Sequence, residues 1–193
     1  MKIYENYIFD FDGVLVDSKE LTFKAINYAL EKIKLPTISE YDFNTKSKSE
    51  LITERNVGYF KSIVVLFLAR RYMKLNYQEM KPIKELITKV SKCKKNKVIV
   101  SSNTKKNIIL ALGPDNKLFS KIIGSVGNGK KSKFLKPYAG DSLYITDEVR
   151  DIIECQKINM DVLAVTWGLD SEEKLKSHRP TQIIYSPKDL NLK

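Results

Sequence analysis

Short apolar runs alternate along the chain with longer segments whose apolar residues recur at helical spacing. The short runs predict six strands of a parallel sheet, because such strands are buried on both faces and carry continuous apolar residues. The predicted strands span residues 4–9, 98–100, 122–123, 143–145, 162–165 and 183–185. Alternation of strands and helices after about residue 80 predicts an α/β fold.

The segments between these runs are predicted to be helices, at residues 18–34, 81–92, 104–112 and 148–158. Ser18 is a residue type that caps helix starts, and Gly113-Pro114 is a stop signal. Asn159 follows the last helix, at a position where asparagine often adopts the left-handed conformation.

The stretch between Asp10 and Val98 is far longer than a crossover between two strands needs. It predicts a helical domain at residues 17–80, inserted after the first strand of a core formed by residues 1–16 and 81–193. The apolar run 63–69, with Leu75, Tyr77 and Met80, predicts a small separate core within the insert. Ligands of open α/β sheets bind beyond the carboxyl ends of the strands, so this insert is expected to act as a lid.

Carboxylates and hydroxyls follow the predicted strands where their carboxyl ends would meet. Asp10 and Asp12 follow the first strand, Ser102 the second, and Asp147 and Asp151 the fourth. Carboxylates this close together repel each other unless a cation lies among them. Because no His or Cys accompanies them, the oxygen ligands favour a hard ion, most plausibly Mg²⁺.

These segments resemble, in order and spacing, the four motifs of the haloacid dehalogenase-like (HAD) hydrolase superfamily. Residues 9–18, FDFDGVLVDS, resemble the first motif, and residues 98–103, VIVSSN, resemble the second. Lys131 is the candidate for the lysine of the third motif, with Lys130 as runner-up. Residues 144–151, YITDEVRD, resemble the fourth motif, although Thr146 stands where the family has Gly.

The resemblance covers nearly the whole chain outside the insert, and it implies a Rossmann-like three-layer α/β/α core with a parallel sheet. The insert lies where the family places a small C1-type helical cap. The overall pattern is similar to the phosphoglycolate-phosphatase-like branch. The implied activity is a Mg²⁺-dependent phosphatase acting on a small phosphomonoester, similar to phosphoglycolate or a sugar phosphate.

The resemblance assigns a role to each motif residue. Asp10 would be the nucleophile that forms an aspartyl-phosphate, and Asp12 the general acid and base. Lys131 would pair with the phosphate and with Asp10. The phosphate-binding candidates are Ser102, Asn103 and Gly13. The metal-site candidates are Asp10, Asp12, Asp147 and Asp151, of which Asp151 would orient the metal shell or its waters.

Three other functions compete with the phosphatase. A phosphosugar mutase carries the same motifs, and a non-catalytic binding or regulatory module would keep the fold. Dehalogenases lack the second aspartate, so Asp12 argues against dehalogenation. The net charge of +11 invites a nucleic-acid partner, but 29 of the 34 basic residues are Lys. Because phosphate and base recognition favours Arg, we expect most of this charge to be solvated surface.

Length, apolar runs and cysteine content predict the domain number and the environment of the protein. The length of 193 residues predicts one domain with a modest insert. The longest apolar run is too short to span a bilayer, so no membrane association is expected. Carboxylates interrupt the first residues before an export signal could form, and only two cysteines occur. We therefore expect a reducing, cytoplasmic environment.

Overall fold

The six apolar runs form one six-stranded sheet in which all neighbouring strands are parallel. The computed structural model describes residues 2–46, 51, 54, 57–127 and 129–193. Its strands are β1 (Asn6–Phe9), β2 (Val16–Asp17), β3 (Lys81–Pro82), β4 (Asn96–Val100), β5 (Lys121–Ile123), β6 (Ser142–Thr146), β7 (Asp161–Val165) and β8 (Gln182–Ile184). The order in the sheet is β5-β4-β1-β6-β7-β8. The predicted α/β class is confirmed.

Helices connect the strands of this sheet. The α-helices are α1 (Lys19–Lys32), α2 (Glu40–Thr45), α3 (Tyr59–Leu75), α4 (Lys84–Lys92), α5 (Lys105–Leu112), α6 (Lys131–Leu135), α7 (Val149–Gln156) and α8 (Glu172–Ser177). Short 3₁₀ turns lie at Tyr77–Glu79, Gly113–Leu118, Lys136–Tyr138 and Pro187–Asp189. By its internal contacts the chain separates into two compact units, Met1–Asp17 with Lys81–Lys193, and Ser18–Met80.

The first unit has its core around the central strands. Strand β1 lies between β4 and β6, and its residues Tyr7, Ile8 and Phe9 are at most 2% exposed. All five residues of β6 are buried. Burial on both faces explains why the sequence of these strands is continuously apolar. Because β1 and β6 are neighbours and parallel, their carboxyl ends place Asp10 and Asp147 at the same edge of the sheet.

A short antiparallel pair joins the two chain segments from which the second unit emerges. Strand β2 pairs with β3, with Val16 opposite Pro82 and Asp17 opposite Lys81. Because of this pairing, the next helix begins later than predicted. Residues 81–92 were expected to be one helix, but α4 begins only at Lys84, because Lys81 and Pro82 belong to the strand pair.

The second unit is built from helices, but its core differs from the predicted one. Helices α1 and α3 pack through Ala25, Ala29 and Ala69. Most of the run 63–69 is not buried: Phe67 is 63% exposed and Ile63 is 48% exposed. Seven consecutive apolar residues extend around the whole helix, whereas a neighbouring helix covers one face. The expectation of a small core within the insert is met in part: Val65, Leu68 and Ala69 of the run pack into it, and the other four residues are exposed.

Most of the predicted helix boundaries lie close to the observed ones. Helix α5 ends at Leu112, directly before Gly113-Pro114, and Asn159 has a φ of 52°. Ser18 does stand at the N-cap of α1, but its side chain makes no capping hydrogen bond. Both cysteines are buried and unpaired. Among the described residues, no helix is long and apolar enough to cross a membrane.

Candidate active site

Asp10 lies directly after β1 and is 6% exposed. Its backbone N–H donates to the carbonyl of Ile145, which continues the pairing of β1 with β6 by one residue. Its Oδ1 accepts a hydrogen bond from Phe11 N at 2.7 Å. The strand and this bond together fix the carboxylate at the carboxyl end of the sheet.

Lys131 reaches Asp10 from the start of α6. Its Nζ lies 2.7 Å from Asp10 Oδ2, 2.5 Å from Asp151 Oδ2 and 2.9 Å from the hydroxyl of Tyr144. An ammonium group has three protons, so these three acceptors use all its donors. Lys131 is 4% exposed, whereas Lys130 is exposed to solvent. The structure thus joins Lys131, and not Lys130, to the candidate nucleophile.

A buried acid holds the start of α6 in place. Glu154, which is 3% exposed, lies on α7, and its Oε2 accepts from Ser132 N at 3.2 Å and from Ser132 Oγ at 2.7 Å. Ser132 directly follows Lys131, so these bonds fix the backbone from which the lysine side chain extends.

Asp151 is hydrogen-bonded to Lys131 and to side chains of strand β6. Its Oδ2 accepts from Lys131, from the Tyr144 hydroxyl at 3.1 Å and from Thr146 Oγ1 at 3.0 Å. The sequence had suggested that Asp151 orients a metal shell. In the structure its hydrogen bonds go to Lys131 and to two hydroxyls of strand β6.

Asp147 follows β6 and is 1% exposed. Its Oδ2 accepts from Leu169 N at 2.8 Å, but its buried Oδ1 has no hydrogen-bond partner within the described part of the chain. Two glycines crowd it: a Cβ added to Gly13 would lie 2.1 Å from Asp147 Oδ2, and one added to Gly168 would lie 2.2 Å from its Cβ. A buried carboxylate oxygen that lacks a partner is costly, and a cation would satisfy it.

Replacement of Gly13 by Ala is expected to destabilise the fold by about 3 kcal/mol. Gly13 has a φ of +74°, which an L side chain rarely adopts, and the new methyl group would collide with Asp147. Gly129→Ala is the matched control, because Gly129 also has a positive φ, +68°, but open space around it. Urea denaturation of both variants separates the two costs. Equal destabilisation would show that the contact with Asp147 contributes nothing.

Asp12, two residues beyond Asp10, is held by an amide. Asn103 Nδ2 donates to both carboxylate oxygens of Asp12, at 3.2 Å each. The orientation of this amide is set by Thr104 N and Asn107 Nδ2, which both donate to Asn103 Oδ1, at 2.8 and 3.2 Å. The structure shows Asn103 holding Asp12, and its part in substrate binding stays a prediction.

Burial raises the pKa of three carboxyl groups in the site above the usual range of an aspartate. Burial raises the pKa of Asp10 to about 7, opposed by Lys131, and burial raises the pKa of Asp12 to about 6, opposed by Asn103. Burial, together with the nearby Glu148 and Asp10, raises the pKa of Asp147 well above its usual range. Burial alone would lower the pKa of Lys131, but Asp10 and Asp151 raise it above its usual value.

The oxygen donors of the site fit a hard cation that is bound by few protein side chains. Within the described ranges, no group of three or more His, Cys, Asp or Glu side chains is arranged to hold a metal ion. A site made of two carboxylates and one backbone carbonyl contains only two such side chains, so it would not be counted as such a group. Asp147 Oδ1, the partnerless oxygen beside Asp10 and Gly13, is the observation that favours a cation.

Comparison with known proteins decides the family. The family model described as haloacid dehalogenase-like hydrolase matches residues 7–165. The chain belongs to this family. It is 25% identical over 198 residues to a phosphoglycolate phosphatase of Synechococcus elongatus, a match that covers 95% of this chain and 93% of that protein.

Solved structures show the same HAD fold. A predicted phosphatase from Clostridium acetobutylicum aligns with a TM-score of 0.78 and 22% identity, over 96% of this chain and 95% of that one. A predicted phosphoglycolate phosphatase from Haemophilus somnus aligns with a TM-score of 0.72 and 20% identity, over 98% and 97%. The predicted family and fold class are confirmed, and so is the expectation that the chain is a hydrolase.

Most of the HAD motif residues lie close together, and the roles assigned to them stay predictions. The structure brings together Asp10, Asp12, Lys131, Asp147 and Asp151, together with Gly13 and Asn103. The backbone N–H of Gly13 donates to Val16 O, so Gly13 serves the turn and the close approach of Asp147. Ser102 is exposed at the end of β4, and its contact with phosphate stays a prediction.

Several residues that shape this HAD site were missed from the sequence. They are Tyr144, Asn107 and the loop Gly168–Asp170, where Asp170 Oδ2 accepts from Val149 N at the start of α7. A signal existed for two of them. Tyr144 is a polar residue within a strand predicted to be buried, and Gly168 closely follows a strand end, where close backbone approach is common.

Proposed function

We propose that the protein hydrolyses a small phosphomonoester through an aspartyl-phosphate formed on Asp10. The observation that carries this proposal is the buried Asp10–Lys131 pair, 2.7 Å apart, at the strand edge that also holds Asp147 with its partnerless Oδ1. A fixed carboxylate beside a cationic group is suited to attack an anionic phosphoryl group, because the positive charge offsets their repulsion.

Asp10 would act as the nucleophile. One of its oxygens forms a bond to phosphorus while the bond from phosphorus to the leaving oxygen breaks. Phe11 N and Lys131 Nζ hold the carboxylate plane during this step. A water molecule then attacks the phosphorus, the bond to Asp10 breaks, and inorganic phosphate leaves.

Asp12 would move the protons. In its neutral form it donates a proton to the leaving oxygen, and as a carboxylate it accepts a proton from the attacking water. Burial raises the pKa of Asp12 to about 6, which brings both forms within reach near neutral pH. Asn103 keeps both Asp12 oxygens in place at 3.2 Å.

Asp10, the backbone carbonyl of Asp12 and Asp147 would hold Mg²⁺. The bound ion supplies positive charge that neutralises phosphoryl oxygens. The hard oxygen donors support this choice, as does Asp147 Oδ1, which has no hydrogen-bond partner among the residues that the structure describes. Asp151 supports the same chemistry indirectly: its contacts favour a role in holding Lys131 against Asp10, in place of the predicted role at the metal shell.

One relative supports a substrate class. The similar protein from Synechococcus elongatus is a phosphoglycolate phosphatase, which favours a small anionic phosphomonoester for this chain. We propose phosphoglycolate or a small sugar phosphate. Residues 17–80 stay a predicted cap, the compartment stays a predicted cytoplasmic one, and the Lys-rich surface stays predicted to be solvated.

A panel of phosphate esters tests the proposal. The purified protein is incubated with p-nitrophenyl phosphate, 2-phosphoglycolate, hexose phosphates and nucleoside monophosphates, with MgCl₂ or with EDTA, and phosphate release is measured. We expect release that requires Mg²⁺, with the highest kcat/KM on one of the small esters.

Other outcomes of this panel would reject the phosphatase. Isomerised hexose phosphate without free phosphate would identify a mutase. No turnover of any ester, with Mg²⁺ binding retained in calorimetry, would identify a non-catalytic binding module.

A further inference from the structure

Thr146 ends strand β6 at the position where the family motif has glycine, and it is fully buried. Its hydroxyl is held by two polar groups. Thr146 Oγ1 accepts from Glu148 N at 3.2 Å and donates to Asp151 Oδ2 at 3.0 Å. Because the backbone N–H occupies an acceptor position of the hydroxyl, its single proton is directed at the carboxylate.

Asp151 Oδ2 is the point at which this bond meets the lysine. Three donors converge on that oxygen: Lys131 Nζ, the Tyr144 hydroxyl and Thr146 Oγ1. The Tyr144 hydroxyl has one proton and two acceptors within reach, Asp151 Oδ2 at 3.1 Å and Val100 O at 3.3 Å. The Thr146 hydroxyl has no such competing acceptor among its hydrogen bonds in the structure, so it is the firmer of the two anchors.

Lys131 depends on Asp151 for its direction. The ammonium group is shared between Asp10 at 2.7 Å and Asp151 at 2.5 Å. If Asp151 could turn about its side-chain bonds, the lysine would follow it or lose an acceptor. A hydrogen bond to a charged, buried group is stronger than one to a neutral group. The bond from the Thr146 hydroxyl therefore restrains rotation of the Asp151 side chain.

We propose that Thr146 is a positioning residue, which fixes Asp151 and through it the placement of Lys131 against Asp10. The proposal rests on the proposed phosphatase function, because Lys131 matters for turnover only if Asp10 is the nucleophile.

Two substitutions at this position separate the hydroxyl from the shape of the side chain. Thr146→Val keeps the branched shape and removes the hydroxyl, whereas Thr146→Ser keeps the hydroxyl. We expect kcat of Thr146→Val to fall about tenfold, the loss of one hydrogen bond to a charged group. We expect KM to change less than about twofold, because the ground-state contacts remain. Thr146→Ser is expected to keep most of the wild-type kcat.

Thr181→Val is the matched control. Thr181 Oγ1 accepts from Val162 N at 3.0 Å and donates to Asp161 Oδ1 at 3.3 Å, the same arrangement at the opposite end of the parallel strands. We expect its kcat to equal that of the wild type. A wild-type kcat in Thr146→Val, or a Thr146→Ser variant as impaired as Thr146→Val, would overturn the proposal.

A stability cycle gives a readout that does not need activity. Thr146→Val is measured by urea denaturation in the wild type and in the Asp151→Asn background. We expect a clearly smaller shift of the midpoint in the second background, because the charged acceptor is already gone. Equal shifts would overturn the proposed link. An inactive wild type with unequal shifts would reject the phosphatase while keeping the link between Thr146 and Asp151.

Discussion

Asp10→Asn is expected to lower kcat/KM for phosphate release by at least about a thousandfold. The amide cannot form an acyl phosphate, and it gives Lys131 a neutral acceptor in place of the charged Asp10 Oδ2 at 2.7 Å. The fold should tolerate the change. Burial raises the pKa of Asp10 to about 7, so the ionised carboxylate is already disfavoured in the folded protein.

Phosphate release from the best ester of the panel, measured together with urea denaturation, checks this expectation. Asp161→Asn is the control, since Asp161 lies at the start of β7, at the opposite end of the sheet, with Lys2 Nζ at 2.7 Å. It should keep wild-type activity. An Asp10→Asn variant with wild-type kcat would assign the nucleophile to another residue, and an unfolded variant would contradict the predicted tolerance.

Asp147→Asn is expected to change activity and stability in opposite directions. Activity with Mg²⁺ should fall about a thousandfold, because one of the two proposed carboxylate ligands is lost. In EDTA at pH 8 the variant should be more stable than the wild type. Burial raises the pKa of Asp147, so its ionised form costs the folded state free energy.

The pH dependence of this gain has a definite sign. In the unfolded chain an aspartate ionises above about pH 4, whereas the buried Asp147 resists ionisation. The wild type therefore loses stability relative to the variant as pH rises above 4, and the two converge at lower pH. Denaturation at pH 4 and pH 8 measures this difference.

Two controls make the Asp147 result interpretable. Mg²⁺ should raise the melting temperature of the wild type but not of Asp147→Asn. Asp161→Asn should behave oppositely in EDTA: although partial burial opposes the effect, the hydrogen bond from Lys2 helps to lower the pKa of Asp161, so its loss should destabilise. A destabilised Asp147→Asn variant would show that the carboxylate serves the fold and not a cation.

The sheet could be predicted because the signal lies within each strand. Residues 98–100 and 162–165 are apolar on both faces, and burial follows from that alone. Element starts were less accurate because they depend on partners that are distant in sequence. Strand β1 begins at Asn6, where pairing with β4 and β6 begins, and not at residue 4.

The inserted unit shows the limit of the apolar pattern. The run 63–69 correctly indicated a helix, but a run of apolar residues does not say which faces will be covered. In the structure Val65, Leu68 and Ala69 of this run pack with Ala25 and Ala29 of α1, whereas Phe67 stays exposed.

The candidate site also contains some residues that could be predicted from the sequence and others that could not. Asp10 and Asp147 could be predicted because each directly follows a strand, and Asp12 because it lies two residues beyond Asp10. The sheet brings these strand ends together. The supports of the site come from side chains that converge only in three dimensions. Asn107 acts through Asn103, and Tyr144 and Thr146 through Asp151, so their roles depend on distances that no spacing in the sequence encodes.

The pairing of β2 with β3 joins the two chain segments of the catalytic unit that the insert separates in sequence. Val16 lies opposite Pro82, and facing residues of an antiparallel pair lie about 5 Å apart, a gap that a two-residue hairpin can close. An insertion at such a point can be lengthened, shortened or exchanged without changing the register of any sheet strand. The predicted cap and the catalytic core could therefore change in sequence separately, each encoded by its own block of the chain.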